Sequence, residues 1–197
     1  YHAKAAGRNA FRFYTERMNS DVQERLDLHN ALRRAIGQGE LVLHYQPLVD
    51  LGTQRVYGAE ALLRWHDAEL GEVSPAKFIP IAEETGLIIA LGNWVMHTAI
   101  AQAAAWNKDG RQFRISVNVS ALQFQQANFV ESLANALDDA HLDPGLIELE
   151  LTESILIRDI EETLKKLHAI AKLGVKMAVD DFGTGYSSLA YLKRFPV

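Results

Sequence analysis

VKMAVDDFGTG, Val175 to Gly185, decides how the rest of the chain is read. Val175, Met177 and Val179 alternate with Lys176, Ala178 and Asp180, the pattern of a strand with one apolar face. The alternation breaks at a second aspartate, Asp181, and runs into Gly183 and Gly185. Successive strand side chains point to opposite faces, so Asp180 and Asp181 can serve one site only where the strand ends between them. Adjacent aspartates before a glycine are more often a simple turn start. What favours chemistry is the rest of the chain.

Four further stretches separate into two faces in the same way. In IELEL, Ile147, Leu149 and Leu151 oppose Glu148 and Glu150; in RISVNVS, Ile115, Val117 and Val119 oppose Arg114, Ser116, Asn118 and Ser120. In GAEALLR, Ala59, Ala61 and Leu63 oppose Glu60, Leu62 and Arg64, and an earlier strand sets His44 and Gln46 against Leu43 and Tyr45. The strands expected are 41–48, 56–65, 113–119, 146–151 and 175–180, with helices over 88–107, 128–140 and 159–173 between them. Such alternation predicts parallel α/β architecture. An apolar face under helices, and an opposite face turning polar toward the strand ends, is the pattern of a barrel mouth. The segment 71–89, with Pro75, Pro80 and Gly86, reads as an irregular insertion around a short helix. Ser20 to Gly37 reads as a polar helix, N-capped by Ser20, with Leu28, Leu32 and Ala35 on one face.

Composition bounds the function. The chain has 197 residues, 48% hydrophobic and 23% charged, enough for one sizeable core. A net charge of −5 leaves no basic footprint for a nucleic-acid polymer. With no cysteine, disulfides and thiolate metal sites are excluded. No uninterrupted apolar run reaches membrane-spanning length.

Four carboxylates and an amide, Glu60, Asn118, Glu150, Asp180 and Asp181, therefore fall at corresponding ends of four strands. Burying that much like charge is costly unless a cation neutralises it. All are oxygen donors, which select Mg²⁺ or Mn²⁺, with Ca²⁺ as competitor, over Zn²⁺. The excess of carboxylates leaves room for two ions, the arrangement used for phosphodiester cleavage. Arg64, four residues beyond Glu60 and two beyond Leu62 on the same face, can hold a phosphate oxygen or form a structural ion pair.

Glu60-Ala61-Leu62-Leu63-Arg64-Trp65 resembles the signature of the EAL domain, the family of cyclic di-GMP phosphodiesterases. Tyr45-Gln46-Pro47, Phe78-Ile79-Pro80 with Ala82-Glu83, Asn118-Val119-Ser120, Glu150-Leu151-Thr152-Glu153 and Asp180 to Gly185 resemble that family's motifs in order. The resemblance implies a TIM-like barrel whose first strand is antiparallel to the rest. It implies Glu60, Asn118, Glu150, Asp180 and Asp181 as metal ligands, with Glu60, Asp180 and Asp181 at the centre of catalysis. It also implies Gln46, Leu62 and Arg64 as nucleotide contacts, and Glu153 as support for the loop after Asp181, which serves a dimer contact. The implied reaction is hydrolysis of cyclic di-GMP to linear pGpG by a metal-activated water, with Mg²⁺ or Mn²⁺ as cofactor and Ca²⁺ as inhibitor. The alternative is a non-catalytic cyclic di-GMP receptor or a regulatory dimerisation domain.

Tyr1 to Tyr14, YHAKAAGRNAFRFY, is similar to the end of a GGDEF domain. The expected organisation is then a GGDEF remnant at 1–19, a linker or docking helix at 20–39, and an EAL domain from 40 to 197. About five of the barrel's eight strands are expected here, and the family's later lysine, acidic residue and glutamine have no counterpart, Lys193 sitting too early. Hydrolysis by this stretch alone is expected to be impaired, the parent protein being the enzyme. A cytoplasmic domain is expected, with any membrane tether and sensory domains of the parent outside this chain.

Overall fold

The structure is a computed structural model that describes residues 16–152, 155 and 159–180, the side chains of 16–21 excepted. In chain order it has α1 (Glu16–Gln38), β1 (Leu41–Asp50), β2 (Arg55–Asp67), β3 (Gly71–Val73), α2 (Pro75–Thr85) and α3 (Leu87–Trp106). β4 (Arg114–Val119), α4 (Ala121–Phe124), α5 (Phe129–Asp139), a 3₁₀ turn (Pro144–Leu146), β5 (Ile147–Thr152), α6 (Ile160–Leu173) and β6 (Lys176–Asp180) follow. The residues before Glu16, Glu153, and everything from Asp181 onward lie outside the described residues.

One sheet carries the strands in the order β1-β2-β4-β5-β6, with β3 paired to β2. β1 is antiparallel to β2, while β2, β4, β5 and β6 are parallel neighbours. The α/β class is as the strand and helix alternation predicts, and the antiparallel first strand is as the family resemblance implies. All five expected strands are found, with ends shifted by no more than two residues. The insertion is more regular than expected. Gly71–Val73 folds back as β3 on β2, Pro75 starts α2 at its first turn, and Gly86, at φ 78°, ends α2 and begins α3. A left-handed residue costs glycine nothing, so two helices can abut there at a sharp angle.

The apolar strand faces meet the helices. Ile115, Val117, Ile147, Leu149 and Leu151 are fully buried against α3, α5 and α6. A second cluster joins Leu28, Leu32 and Ala35 of α1 to Trp65, Phe78 and Leu91. Trp65 and Phe78 meet edge to face at 5.6 Å between ring centres, a favoured aromatic geometry. α1 begins upstream of Ser20, so that residue does not cap it, and its apolar stripe packs on the body of the domain. α3 is long and apolar enough to cross a membrane by length and composition alone. Its buried side, Ile88, Leu91, Val95, Ala99 and Ala103, packs inside the domain.

Candidate active site

Parallel register sets the polar faces side by side. Glu60 lies opposite Ser116, Asn118 opposite Glu150, Glu150 opposite Ala178, and Thr152 opposite Asp180. The antiparallel pair adds Gln46 opposite Glu60. Side chains on paired positions share a face, so five strands aim these groups into one concavity.

The groups are electrostatically coupled. Asn118 Nδ2 donates to Glu60 Oε1 at 2.8 Å, which turns the Asn118 Oδ1 away from that carboxylate. Glu150 is half-buried; burial first, then the Glu60 charge, push its carboxyl up to about 7. A hydrogen bond from the buried Ser116 hydroxyl opposes that shift, and Asp180 and Glu148 add to it. Arg114 Nη1 closes on Glu148 Oε2 at 2.7 Å, so the carboxylate deepest along β5 carries its own counter-ion. Among the described residues Glu150 has no such cation.

Beside these carboxylates a pocket of about 320 Å³ is lined by Leu62, Arg64, Glu83, Asn118, Ser120 and Thr152, among others. Arg64 Nη1 rests on the Leu63 carbonyl at 2.9 Å and makes no ion pair among the described residues. Its phosphate-binding alternative is therefore left available, whereas the structural-pair alternative is not realised there. Gly92 also lines this pocket and packs directly against the buried Gln123, whose side-chain amide leaves no room for a Cβ there.

The structure thus gathers Gln46, Glu60, Leu62, Arg64, Asn118, Glu150 and Asp180 on one face. Asp181 and Glu153 lie outside the described residues. Ser116 was not singled out from the sequence; its place two residues before Asn118 on the same strand face is the signal that could have found it. The donor set fits a hard divalent cation: oxygen ligands only, with one carboxyl raised by burial and neighbouring negative charge. Among the described residues no three His, Cys, Asp or Glu side chains close into a metal cage. Glu60, Asn118, Glu150 and Asp180 are the candidates to hold an ion, sharing a face and a field.

A model of the EAL domain matches residues 29–197. The chain belongs to the EAL domain family. The match begins inside α1, which packs on this EAL domain through Leu32 and Ala35. Over its whole length the chain is 46% identical to the bifunctional diguanylate cyclase/cyclic di-GMP phosphodiesterase MucR of Pseudomonas aeruginosa, of which it covers 29%. It is 41% identical to the cyclic di-GMP phosphodiesterase PdeR of Escherichia coli, covering 30% of it. The chain spans less than a third of either relative. A solved structure described as PaMucR phosphodiesterase, c-di-GMP complex, superposes with a TM-score of 0.83 at 45% identity, over 87% of this chain and 70% of that one. The EAL domain is a TIM-like barrel, and the sheet described here is part of one.

Proposed function

We propose that this EAL domain binds cyclic di-GMP and hydrolyses one of its phosphodiester bonds to give pGpG, within a longer bacterial signalling protein. The observation that carries the reading is the row of Glu60, Asn118, Glu150 and Asp180 across four adjacent parallel strands, with Arg64 beside it. The names of the relatives support it.

Glu60, Asn118, Glu150, Asp180 and Asp181 would hold Mg²⁺ or Mn²⁺, which when bound supplies Lewis acidity and an acidified water. Glu60 is kept in place by the Asn118 amide, so its lone pairs stay directed into the concavity. Glu150, with its carboxyl up at about 7, gives up its proton when a cation takes over the balance of charge. Gln46, opposite Glu60, offers amide hydrogen bonds to the ligand, and Arg64 a charge-assisted one to a phosphate oxygen. Leu62, which lines the same pocket, offers the ligand an apolar contact. Glu153 is read as support for the loop after Asp181 and that loop as a homodimer contact. The cyclase named in the MucR relative supports reading residues 1–19 as the tail of a GGDEF domain. A nucleotide messenger as ligand favours a cytoplasmic domain.

The test measures cyclic di-GMP binding and turnover with Mn²⁺ and after chelation, in the wild type and in Glu60→Gln. Expected are Mn²⁺-dependent formation of pGpG and a loss of about 100-fold or more in Glu60→Gln, since one oxygen ligand loses its charge. Nucleotide binding indifferent to Mn²⁺, with no turnover in any protein carrying the intact domain, would replace the enzyme by a receptor.

A further inference from the structure

The β1–β2 pairing forms three consecutive rungs on the site's face: Gln46 with Glu60, His44 with Leu62, and Val42 with Arg64. The first rung carries the carboxylate and the amide, and the third the guanidinium. Glu60 and Arg64 are four residues apart, about 13 Å along a strand. A ligand engaging both ends must lie across the middle rung, beside His44. That imidazole is exposed and makes no hydrogen bond, ion pair or ring contact with any described residue. Its cross-strand partner Leu62 is apolar, half-buried and lines the pocket. A flat ring beside an aliphatic side chain, flanked by polar groups on both sides, suits the face of an aromatic base.

We propose that His44 is a further ligand-contact residue, its ring forming with Leu62 a platform on which one guanine of the nucleotide stacks. This rests on the reading of the site as a cyclic di-GMP site and extends it by assigning base recognition to β1. Stacking uses the π-face that every base carries and needs no fixed hydrogen-bond partner. The inference therefore predicts that ring shape matters and the ring nitrogens do not.

The test titrates cyclic di-GMP, with Ca²⁺ present to hold it without turnover, into the wild type, His44→Ala and His44→Phe, and separately measures Mn²⁺ affinity in all three. His44→Ala should bind the nucleotide about tenfold more weakly, the scale of one lost stacking contact. His44→Phe should stay within about twofold of wild type, and Mn²⁺ affinity should be unchanged in both variants, which also shows that the site is still folded. Wild-type affinity in His44→Ala overturns the assignment, and so does a His44→Phe as weak as His44→Ala. A wild type that binds Mn²⁺ but no cyclic di-GMP sinks the nucleotide reading of the site, and this inference falls with it.

Discussion

Gly58 shows how narrowly a single position is set. It stands on β2 two residues before Glu60 and pairs with Arg114, whose carbonyl oxygen would sit 2.6 Å from an added Cβ. The obstacle is backbone, so it cannot rotate aside. Gly58→Ala should cost about 1–3 kcal/mol by forcing β2 and β4 apart, and it should weaken Mn²⁺ binding because Glu60 and Asn118 sit on those two strands. Urea unfolding followed by Mn²⁺ titration checks both. The glycine is visible in the sequence, but its reason is not, because Arg114 lies 56 residues away in the chain and meets it only through the parallel register.

At the scale of elements, the short helix α4 is held from three directions. Ser120 caps its start by accepting from the Gln123 amide, and Gln123 is wedged beside Gly92 of α3. At its end Lys166 of α6 donates to the carbonyls of Phe124, Gln125 and Gln126 at 3.0, 3.0 and 3.1 Å, and pairs with Glu162 at 3.4 Å. The lysine side chain is 12% exposed, so its bonds are shielded from water. Lys166→Met should destabilise the domain by about 1–3 kcal/mol through three carbonyls left without that donor, and Lys166→Arg should recover part of it. Thermal unfolding of the two variants decides this; equal stability of Lys166→Met and wild type would mean that water replaces the ammonium fully. The helix expected over 159–173 is found as α6, with Asp159 capping its start and Gly174 its end. The lysine's role was not legible in the sequence, since a lysine in an amphipathic helix reads as a solvated one.

Across the whole molecule, the carboxylate row links stability to pH and to metal. An acid held above its ordinary pKa keeps its proton in the folded state where the unfolded chain has lost it, so Glu150 makes stability fall as pH rises from about 4.5 to about 7. The ion-free domain should therefore be less stable at about pH 8 than at about pH 5 as far as this group is concerned, and Glu150→Gln should flatten that slope. Mn²⁺ should restore stability at the higher pH and bind more weakly as pH drops below about 7, because the ion must displace the proton. Urea midpoints with chelator and with Mn²⁺ at the two pH values test this. A slope unchanged by Glu150→Gln would show that the proton is held elsewhere.

By itself the sequence determined the local patterns: the five strands after Glu40, the face of each that carries polar groups, and the helices whose apolar stripes cover the other. Period-two and helical spacing are written along the chain, so Glu60, Asn118, Glu150 and Asp180 could be placed on strand faces and grouped by resemblance. Only the tertiary structure decided the pairings between distant residues. The bond from Asn118 to Glu60, the hydroxyl of Ser116 on Glu150, the Arg114–Glu148 pair and the seat of His44 beside Leu62 all follow from strand order and register. Register is fixed by which apolar side chains interlock under the helices, a property of the packed core and not of any one segment.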